Sequence, residues 1–284
     1  MRLYVVGGGP AGISAAIWAR RLGLDPVVVE RAATLGGQLR DVTLPIPDLP
    51  GWPNLEAQEL VQRLKAHLAW LEIPVISGRE AVAFEPDAQR LTFADGGVER
   101  CTHLIFAPGL RVRRLEVDGE DQIREQSVAE FLRQAGGRRH RCLVVGGGDR
   151  ALEAASRLAE AGHETVVVHR RDRFRARRQF RERLEASGAM VLWNTSVRAI
   201  ATGPDGYTVA LQQPGRRLQL EVDEVFVRIG MEPDFKPGIP LQDPDGRVAV
   251  VGDAATDTPL RSIVSALAGG MAGARAILRS SDRA

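Results

Sequence analysis

The chain has 284 residues, 44% of them hydrophobic, a length typical of about two globular domains. Its 38 basic and 36 acidic residues leave a net charge of +2, which argues against a disordered tail or a nucleic-acid-binding arm. Two cysteines, Cys101 and Cys142, exclude a disulfide-rich scaffold and a four-cysteine zinc site. No apolar run reaches the roughly 18 residues that span a bilayer, and no signal peptide is evident, so we expect a cytoplasmic protein that has no membrane partner.

The first predicted element is a β-strand over residues 3–6, which leads into Gly7-Gly8-Gly9-Pro10-Ala11-Gly12. A helix over residues 13–22 follows, and then a strand over residues 27–29 that ends at Glu30. This order opens a dinucleotide-binding fold, in which the glycines bring the backbone and the helix N-terminus close to a pyrophosphate. Glu30 stands where a carboxylate accepts hydrogen bonds from an adenosine ribose, so this motif predicts a site for FAD or NAD.

The same order of elements returns in the middle of the chain. A strand over residues 143–145 leads into Gly146-Gly147-Gly148-Asp149-Arg150-Ala151, followed by a helix to near Ala161 and a strand over residues 166–168. That strand ends in His169-Arg170-Arg171, with Arg175 beyond it, and no acid is present to bind a ribose hydroxyl. Clustered guanidinium groups suit a 2′-phosphate, so the second motif predicts NADPH. A helix that began at Arg171 would place Arg175 one turn later, where both could bind one phosphate.

Over nearly its whole length the sequence resembles the low-molecular-weight thioredoxin-reductase-like flavoproteins, of the class II pyridine nucleotide-disulfide oxidoreductase type. Besides the two glycine motifs, the matching segments are Gly36-Gly37-Gln38-Leu39, Ala107-Pro108-Gly109, His169-Arg170-Arg171 with Arg175, Ile229-Gly230-Met231-Glu232-Pro233, Gly252-Asp253, Arg261-Ser262-Ile263 and residues 266–273. In that family the aspartate binds the ribityl chain and the Arg-x-x segment meets the isoalloxazine edge. The resemblance therefore implies these roles for Asp253 and for Arg261-Ser262-Ile263.

The resemblance also implies the architecture. We expect an α/β protein with two Rossmann-like dinucleotide-binding domains, in which an NADPH domain (residues 116–232) is inserted into an FAD domain split between residues 1–115 and 233–284. Residues 43–54, with four prolines, are either an ordered loop near the flavin or a plain surface loop. A homodimer is implied as well.

The chain departs from the family in three places. The position of the family's Cys-x-x-Cys pair holds Ala129-Glu130-Phe131-Leu132, and the cysteine of the related bacillithiol-type reductases is replaced by Ala11. Cys101 and Cys142 each lie at an apolar strand, so we expect both to be buried and structural. Only one strand is predicted before Gly252. The last residue is Ala284, so we expect no counterpart of the flavin-covering extension of the ferredoxin–NADP reductases of this type.

The function predicted from these features is electron transfer from NADPH through FAD directly to an acceptor. The flavin supplies the hydride chemistry, so no catalytic side chain is required. The acceptor is a protein or a small molecule: a ferredoxin, a flavodoxin, a quinone or a small oxidant. Two alternatives stay open, a disulfide reductase that uses a partner's or non-standard thiols, and a non-enzymatic FAD-binding scaffold or redox sensor.

Other chemistry has little support in the sequence. The five histidines lack metal-ligand spacing, so no metal site is expected. The arginine-rich run from Arg170 to Arg183 lacks the interleaved aromatic residues that stack on bases, which argues against nucleic acid. Its surplus arginines, Arg177, Arg178, Arg181 and Arg183, form either a solvated helix face or a docking face for an acidic electron carrier.

Overall fold

The computed structural model describes residues 1–42, 45–124 and 126–281, so Thr43 and Leu44 of the proline-rich loop, Glu125 and residues 282–284 lie outside the described residues. The chain divides into two compact units, Met1–Arg111 together with Pro233–Ala284, and Val112–Glu232. Each unit contains a parallel sheet flanked by helices, which confirms the predicted α/β fold class. Among the described residues, no helix is both long enough and apolar enough to cross a membrane.

The chain enters the first unit with two helices and eight strands. In chain order these are β1 (Leu3–Val6), α1 (Pro10–Arg21), β2 (Pro26–Glu30), α2 (Ala57–Trp70), β3 (Val75–Ser77), β4 (Ala81–Glu85), β5 (Arg90–Phe93), β6 (Val98–Arg100), β7 (His103–Phe106) and β8 (Leu110–Val112).

The second unit follows without interruption. Its elements are α3 (Val128–Gln134), β9 (Arg141–Gly146), α4 (Asp149–Glu160), β10 (Glu164–Val168), α5 (Arg178–Ser187), β11 (Met190–Leu192), β12 (Ser196–Gly203), β13 (Gly206–Gln213), β14 (Arg216–Val222) and β15 (Glu224–Arg228). The chain then returns through β16 (Met231–Pro233), β17 (Val248–Val250) and α6 (Ile263–Ser281).

The main sheet of the first unit has the strand order β17-β7-β1-β2-β3, and all of its neighbouring strands are parallel. β1 is buried along its whole length, as expected of a central parallel strand that is covered on both faces. Only β17 lies between Pro233 and Gly252, in agreement with the single strand predicted there. β4, β5 and β6 form a separate antiparallel sheet.

The second unit repeats this design with the strand order β11-β10-β9-β15, again parallel throughout. The repeat extends to the helix ends. After α1, Gly23 has φ +82° and donates its N–H to Arg20, and after α4, Gly162 has φ +88° and donates to Ala159. A glycine with positive φ is the usual end of a helix that must turn back into a strand. β12, β13 and β14 add an antiparallel meander to this unit.

In the first unit α6 packs directly against α1. A side chain at Gly270 of α6 would overlap the carbonyl oxygen of Ala11, so the two helix backbones touch. The hydroxyl of Ser14 donates to the carbonyl of Leu267 across the same contact at 2.6 Å. This packing brings the C-terminal helix to the glycine turn that precedes α1.

Candidate functional site

The glycine turn of the first unit leaves the beginning of α1 accessible. A Cβ at Gly12 would overlap the carbonyl oxygen of Gly7, so only glycine fits at that position. Gly9 precedes the helix without any side-chain cap, and Pro10, which has no N–H, occupies the first helical position. The unbonded N–H groups at such an uncapped helix start attract an anion such as a pyrophosphate.

Glu30, at the end of β2, is buried with 7% of its surface exposed and faces this turn. Its Oε2 accepts the N–H of Gly8 at 2.7 Å and its Oε1 accepts the N–H of Ala32 at 2.8 Å. Each carboxylate oxygen has a second lone pair, so the group can still accept bonds from ribose hydroxyls. The backbone bonds thus fix the carboxylate in position beside the turn.

Two further predicted segments reach the same turn. Gly36 donates its N–H to the carbonyl of Gly8 at 2.8 Å, and a Cβ at Gly37 would lie 3.0 Å from Cα of Gly9. Gln38 and Leu39 follow in a 3₁₀ turn, and Leu39 is buried. A Cβ at Gly109, after β7, would lie 3.9 Å from the side-chain nitrogen of Gln38, and Ala107 lies beside Gly7. The structure therefore brings Gly37, Gln38, Leu39, Ala107 and Gly109 around the turn.

The predicted segment after β17 completes this group. Gly252 has φ +77°, and a Cβ on it would lie 2.6 Å from Cβ of Ala11. Asp253 follows, and within the part of the chain that the structure describes its Oδ1 is buried without a hydrogen-bond partner. Burial raises the pKa of Asp253, and the positive charge of Arg261 opposes that rise. An unsatisfied buried carboxylate oxygen costs free energy, which donors from a ligand would recover.

The start of α6 is organised by its own side chains. The guanidinium Nε of Arg261 donates to the carbonyls of Asp253 and Thr256, at 3.0 and 3.1 Å. Ser262 and Ser265 exchange hydrogen bonds between hydroxyl and backbone N–H, and α6 begins at Ile263. These contacts hold Arg261, Ser262 and Ile263 next to Asp253.

The second glycine turn has the same geometry in the second unit. A Cβ at Gly146 would overlap the carbonyl oxygen of Arg228, whereas a Cβ at Gly148 would meet no atom within 4 Å. Gly148 precedes α4 without a side-chain cap, Asp149 and Arg150 begin the helix, and the N–H of Ala151 donates to the carbonyl of Gly148 at 3.0 Å. A helix start without a side-chain cap attracts an anion such as a pyrophosphate. Ile229, just after β15, keeps 37% of its surface exposed.

The segment after β10 does not form the helix that would place Arg175 one turn beyond Arg171. α5 begins only at Arg178, and residues 169–177, which we call the arginine loop, are irregular. The reason is a competing set of bonds: the N–H of Arg175 donates to the carbonyl of Gly147 at 3.0 Å, and Nε2 of His169 lies 3.0 Å from the carbonyl oxygen of Arg173. The expected helical arrangement of these arginines is therefore wrong.

The loop nevertheless presents the predicted cations beside the glycine turn. Arg170, Arg171 and Arg175 have exposed side chains, and among the described residues no ion pair is recorded for them. His169 is buried, and its ring occupies the place where a side chain on Gly147 would lie. Burial lowers the pKa of His169, and the neighbouring arginines act in the same direction.

Asp149, predicted as a cofactor contact, is engaged by the end of the arginine loop. Its carboxylate accepts the backbone N–H of Arg177 at 2.8 Å and its guanidinium Nε at 2.6 Å. Two other surplus arginines have acidic partners within the unit: Arg178 pairs with Glu182 and Arg183 with Glu160, both at 2.6 Å. Three of the four surplus arginines thus bind carboxylates of the same chain, which weakens the case for a cationic docking face.

The position that the family's cysteine pair would occupy is part of α3. Phe131 is buried there, with its ring centroid 5.3 Å from His140, 5.1 Å from His163 and 5.6 Å from Phe226. The backbone N–H of His140 donates to Nδ1 of His163 at 3.2 Å, so the fold joins two histidines that are far apart in sequence. In the described part of the chain, no group of three or more His, Cys, Asp or Glu side chains could hold a metal ion.

Both cysteines are buried, as predicted. Burial raises the pKa of Cys101 to about 12, although hydrogen bonds to the backbone of Tyr4 and His103 act against the rise. Burial likewise raises the pKa of Cys142 to about 12. A thiol becomes a nucleophile only as the thiolate, so neither side chain is activated at neutral pH.

Sequence reasoning missed Trp193, which follows β11. Its indole lies against the arginine loop, with the ring centroid 4.3 Å from Phe174 and 6.0 Å from His169. The usable signal was its position directly after a strand. Residues that follow two neighbouring parallel strands lie at the same sheet edge, and β11 is the neighbour of β10, after which the arginine loop begins.

Comparison with known proteins identifies the class. Residues 1–263 match the pyridine nucleotide-disulphide oxidoreductase family, and the chain belongs to that family. A ferredoxin–NADP reductase of Ignicoccus hospitalis is 28% identical over 236 residues, covering 81% of this chain and 76% of that protein. A thioredoxin reductase of Mycolicibacterium smegmatis is 31% identical over 265 residues, covering 88% and 82%.

The fold agrees with this assignment. The structure of Lactococcus lactis thioredoxin reductase is similar with a TM-score of 0.83 at 22% identity, covering 100% of this chain and 99% of that one. The resemblance inferred from the motifs is thereby confirmed. The protein is an oxidoreductase that depends on FAD and NADPH.

The residues of the first unit fit FAD. The uncapped start of α1 suits the pyrophosphate, the anchored carboxylate of Glu30 suits a ribose, and the orphaned Oδ1 of Asp253 suits hydroxyl donors of the ribityl chain. The second unit fits NADPH, since it combines an uncapped helix start with exposed guanidinium groups where the first unit has Glu30.

Proposed function

We propose that the first unit binds FAD, the second unit binds NADPH, and electrons pass from NADPH through FAD directly to an acceptor protein of the ferredoxin type. The observation that carries the proposal is the state of the thiols: both cysteines are buried with raised pKa values, and α3 holds no cysteine. The similarity to a ferredoxin–NADP reductase supports this choice of acceptor.

The chain's own residues then have binding and orienting roles. The starts of α1 and α4 hold the two pyrophosphates, Glu30 holds the adenosine ribose of FAD, and Asp253 holds the ribityl chain. When bound, FAD accepts a hydride from the nicotinamide and supplies electrons to the acceptor. No side chain has to act as an acid or a base in that step. The proposed cofactor contacts extend to Arg261-Ser262-Ile263 for the flavin and to Ile229 for NADPH.

We assign the nucleotide preference to Arg170, Arg171 and Arg175. Their exposed side chains follow the end of β10, the position in the motif at which the first unit has Glu30, and this supports a contact with the 2′-phosphate. A charge-assisted hydrogen bond contributes about 1.5–3 kcal/mol, and about 1.4 kcal/mol changes an affinity tenfold. Loss of one arginine should therefore weaken NADPH by about ten- to a hundredfold and leave NADH almost unchanged.

The experiment begins with anaerobic reduction of the flavin by NADPH and by NADH. Reoxidation of the reduced flavin is then measured with a panel of acceptors: a ferredoxin, a flavodoxin, a quinone, oxidised thioredoxin and ferricyanide. Wild type and Arg171→Ala are compared, with Arg178→Ala as the matched control, because Arg178 is also exposed but pairs with Glu182. We expect NADPH to bleach the wild-type flavin rapidly and a ferredoxin to reoxidise it. Equal use of both nucleotides by wild type would contradict the NADPH assignment.

The same panel separates the alternatives. Turnover with thioredoxin that disappears when both cysteines are replaced would favour a disulfide reductase, and tight FAD that neither nucleotide bleaches would favour a scaffold or sensor. The family resemblance further supports a homodimer in the cytoplasm, with neither a nucleic acid nor a membrane as partner. Sedimentation equilibrium of the flavin-loaded protein tests the dimer.

A further inference from the structure

The three exposed arginines can bind a 2′-phosphate tightly only if the loop that carries them is already ordered. A binding loop that must be fixed when the ligand arrives loses affinity to conformational entropy. The arginine loop has no helical bonds of its own before Arg178, so its order comes from what it contacts.

Backbone hydrogen bonds hold the first part of the loop to the end of β11 and to the segment that follows it. The N–H of His169 donates to the carbonyl of Leu192 at 3.0 Å, and the N–H of Thr195 donates back to the carbonyl of His169 at 2.9 Å. Asn194, with φ +50°, donates its N–H to the carbonyl of Arg171 at 3.2 Å. These three bonds fix the backbone as far as Arg171.

Between Arg171 and Arg175 the loop is held by His169, whose Nε2 lies 3.0 Å from the carbonyl oxygen of Arg173, and by the packing of aromatic side chains. The ring of Phe174 lies 4.3 Å from the indole of Trp193 and 5.3 Å from the ring of His169, centroid to centroid. The His169 ring in turn packs on Gly147, whose carbonyl accepts the N–H of Arg175. Trp193 thus supports the part of the loop from which Arg175 extends.

We propose that Trp193 is a specificity-determining positioning residue, which selects NADPH over NADH by holding the arginine loop in the shape that binds the 2′-phosphate. This inference rests on the proposed NADPH site of the second unit. Trp193 acts through the rings of Phe174 and His169, which it contacts. Its effect is therefore confined to the phosphate that distinguishes the two nucleotides.

The test compares Trp193→Ala, Trp193→Phe and, as the matched control, Trp70→Ala on α2 of the first unit, where the indole is 77% exposed. KM and kcat for flavin reduction are measured with NADPH and with NADH. Binding of 2′,5′-ADP and of 5′-AMP is measured by calorimetry, because only the former carries the 2′-phosphate.

For Trp193→Ala we expect KM for NADPH and Kd for 2′,5′-ADP to rise about tenfold, which corresponds to the loss of one guanidinium contact. The kcat value, KM for NADH and Kd for 5′-AMP should stay within about twofold of wild type. Trp193→Phe should restore most of the preference, since a phenyl ring can still pack on Phe174. Trp70→Ala should change none of these values.

Two kinds of failure are distinguishable. If wild type shows no preference for NADPH, the proposed NADPH site itself is wrong. If wild type prefers NADPH and Trp193→Ala keeps that ratio, the positioning role alone is wrong. Equal losses with both nucleotides would also overturn it, because they would place Trp193 against the common adenosine. Phe174→Leu, which removes the ring but keeps apolar bulk, carries the same expectations if Trp193→Ala does not fold.

Discussion

Replacing Asp253 separates the cost of a buried carboxylate from its use in binding. Its Oδ1 is buried without a partner among the described residues. A ribityl hydroxyl that donates to it would form a charge-assisted hydrogen bond, which contributes about 1.5–3 kcal/mol. Because about 1.4 kcal/mol corresponds to a factor of ten, Asp253→Ala should raise the Kd for FAD by about ten- to a hundredfold.

The pH dependence of this prediction has a definite sign. Burial raises the pKa of Asp253, whereas donors from FAD would favour the ionised form. FAD should therefore bind most tightly above the raised pKa, and its affinity should fall as the pH drops through it. Asp253→Ala should remove that part of the pH dependence.

Asp253 should affect the stability of protein without flavin in the opposite way: its contribution to the free energy of unfolding should become less favourable as the pH rises. Well below the ordinary pKa of 3.8 the carboxyl is protonated in the folded and the unfolded chain, so Asp253→Asn should have little effect there. As the pH rises, the unfolded chain ionises first and burial of the carboxylate becomes a cost. At neutral pH the Asn variant should consequently unfold at a higher temperature than wild type.

The assay is titration of deflavinated protein with FAD, followed by flavin fluorescence from mildly acidic to neutral pH, together with thermal unfolding of the same samples. Asp257→Asn is the control, since Asp257 is exposed four residues further along the chain. An unchanged Kd for FAD in Asp253→Ala would refute the assignment of the ribityl contact. A flavin-free Asn variant that is less stable than wild type at neutral pH would refute the argument about burial.

The other predictions concern the glycine turn and the thiols. Gly12→Val should yield protein without bound FAD, because even a Cβ at that position overlaps the carbonyl of Gly7. The control is Gly203→Ala at the end of β12, where a Cβ would make only an ordinary contact, and it should purify with full flavin absorbance. Cys101→Ser combined with Cys142→Ala should keep NADPH-driven reduction of ferricyanide, because both thiols have pKa values of about 12. Native protein should accordingly react slowly with thiol reagents at neutral pH, and loss of ferricyanide reduction in the folded double variant would contradict direct transfer.

The two strand–turn–helix–strand units were predictable because their signals are local. β1 and β9 are short apolar runs, and each is followed by three glycines and a helix that ends with a positive-φ glycine. Parallel strands covered on both faces require such runs, and a turn that must approach a phosphate requires glycine. Sequence spacing alone therefore indicated the fold class.

The arginine loop could not be derived in the same way. Its shape depends on bonds from Arg175 to Gly147 and from Asn194 to Arg171, which join residues about two dozen positions apart. A helical spacing of Arg171 and Arg175 is a local pattern, and such long-range bonds override it. The carboxylate partners of two surplus arginines, Arg177 and Arg183, could not be derived for the same reason. These partners, Asp149 and Glu160, lie at opposite ends of α4 and far from the arginines in sequence.

Burial of an ionisable group has opposite consequences at Cys101 and at Asp253. It raises the pKa of Cys101 and of Asp253 alike. The thiol of Cys101 already donates to the carbonyl of His103 at 3.2 Å, so it remains a protonated, satisfied core group. The carboxylate of Asp253 has an oxygen without a donor, so it gains when a ligand brings one. At these two positions the missing partner, more than the direction of the pKa shift, distinguishes the predicted binding group beside the glycine turn from the packed thiol. Asp253 is therefore suited to bind a flavin, whereas the thiol of Cys101 is not suited to accept electrons from it.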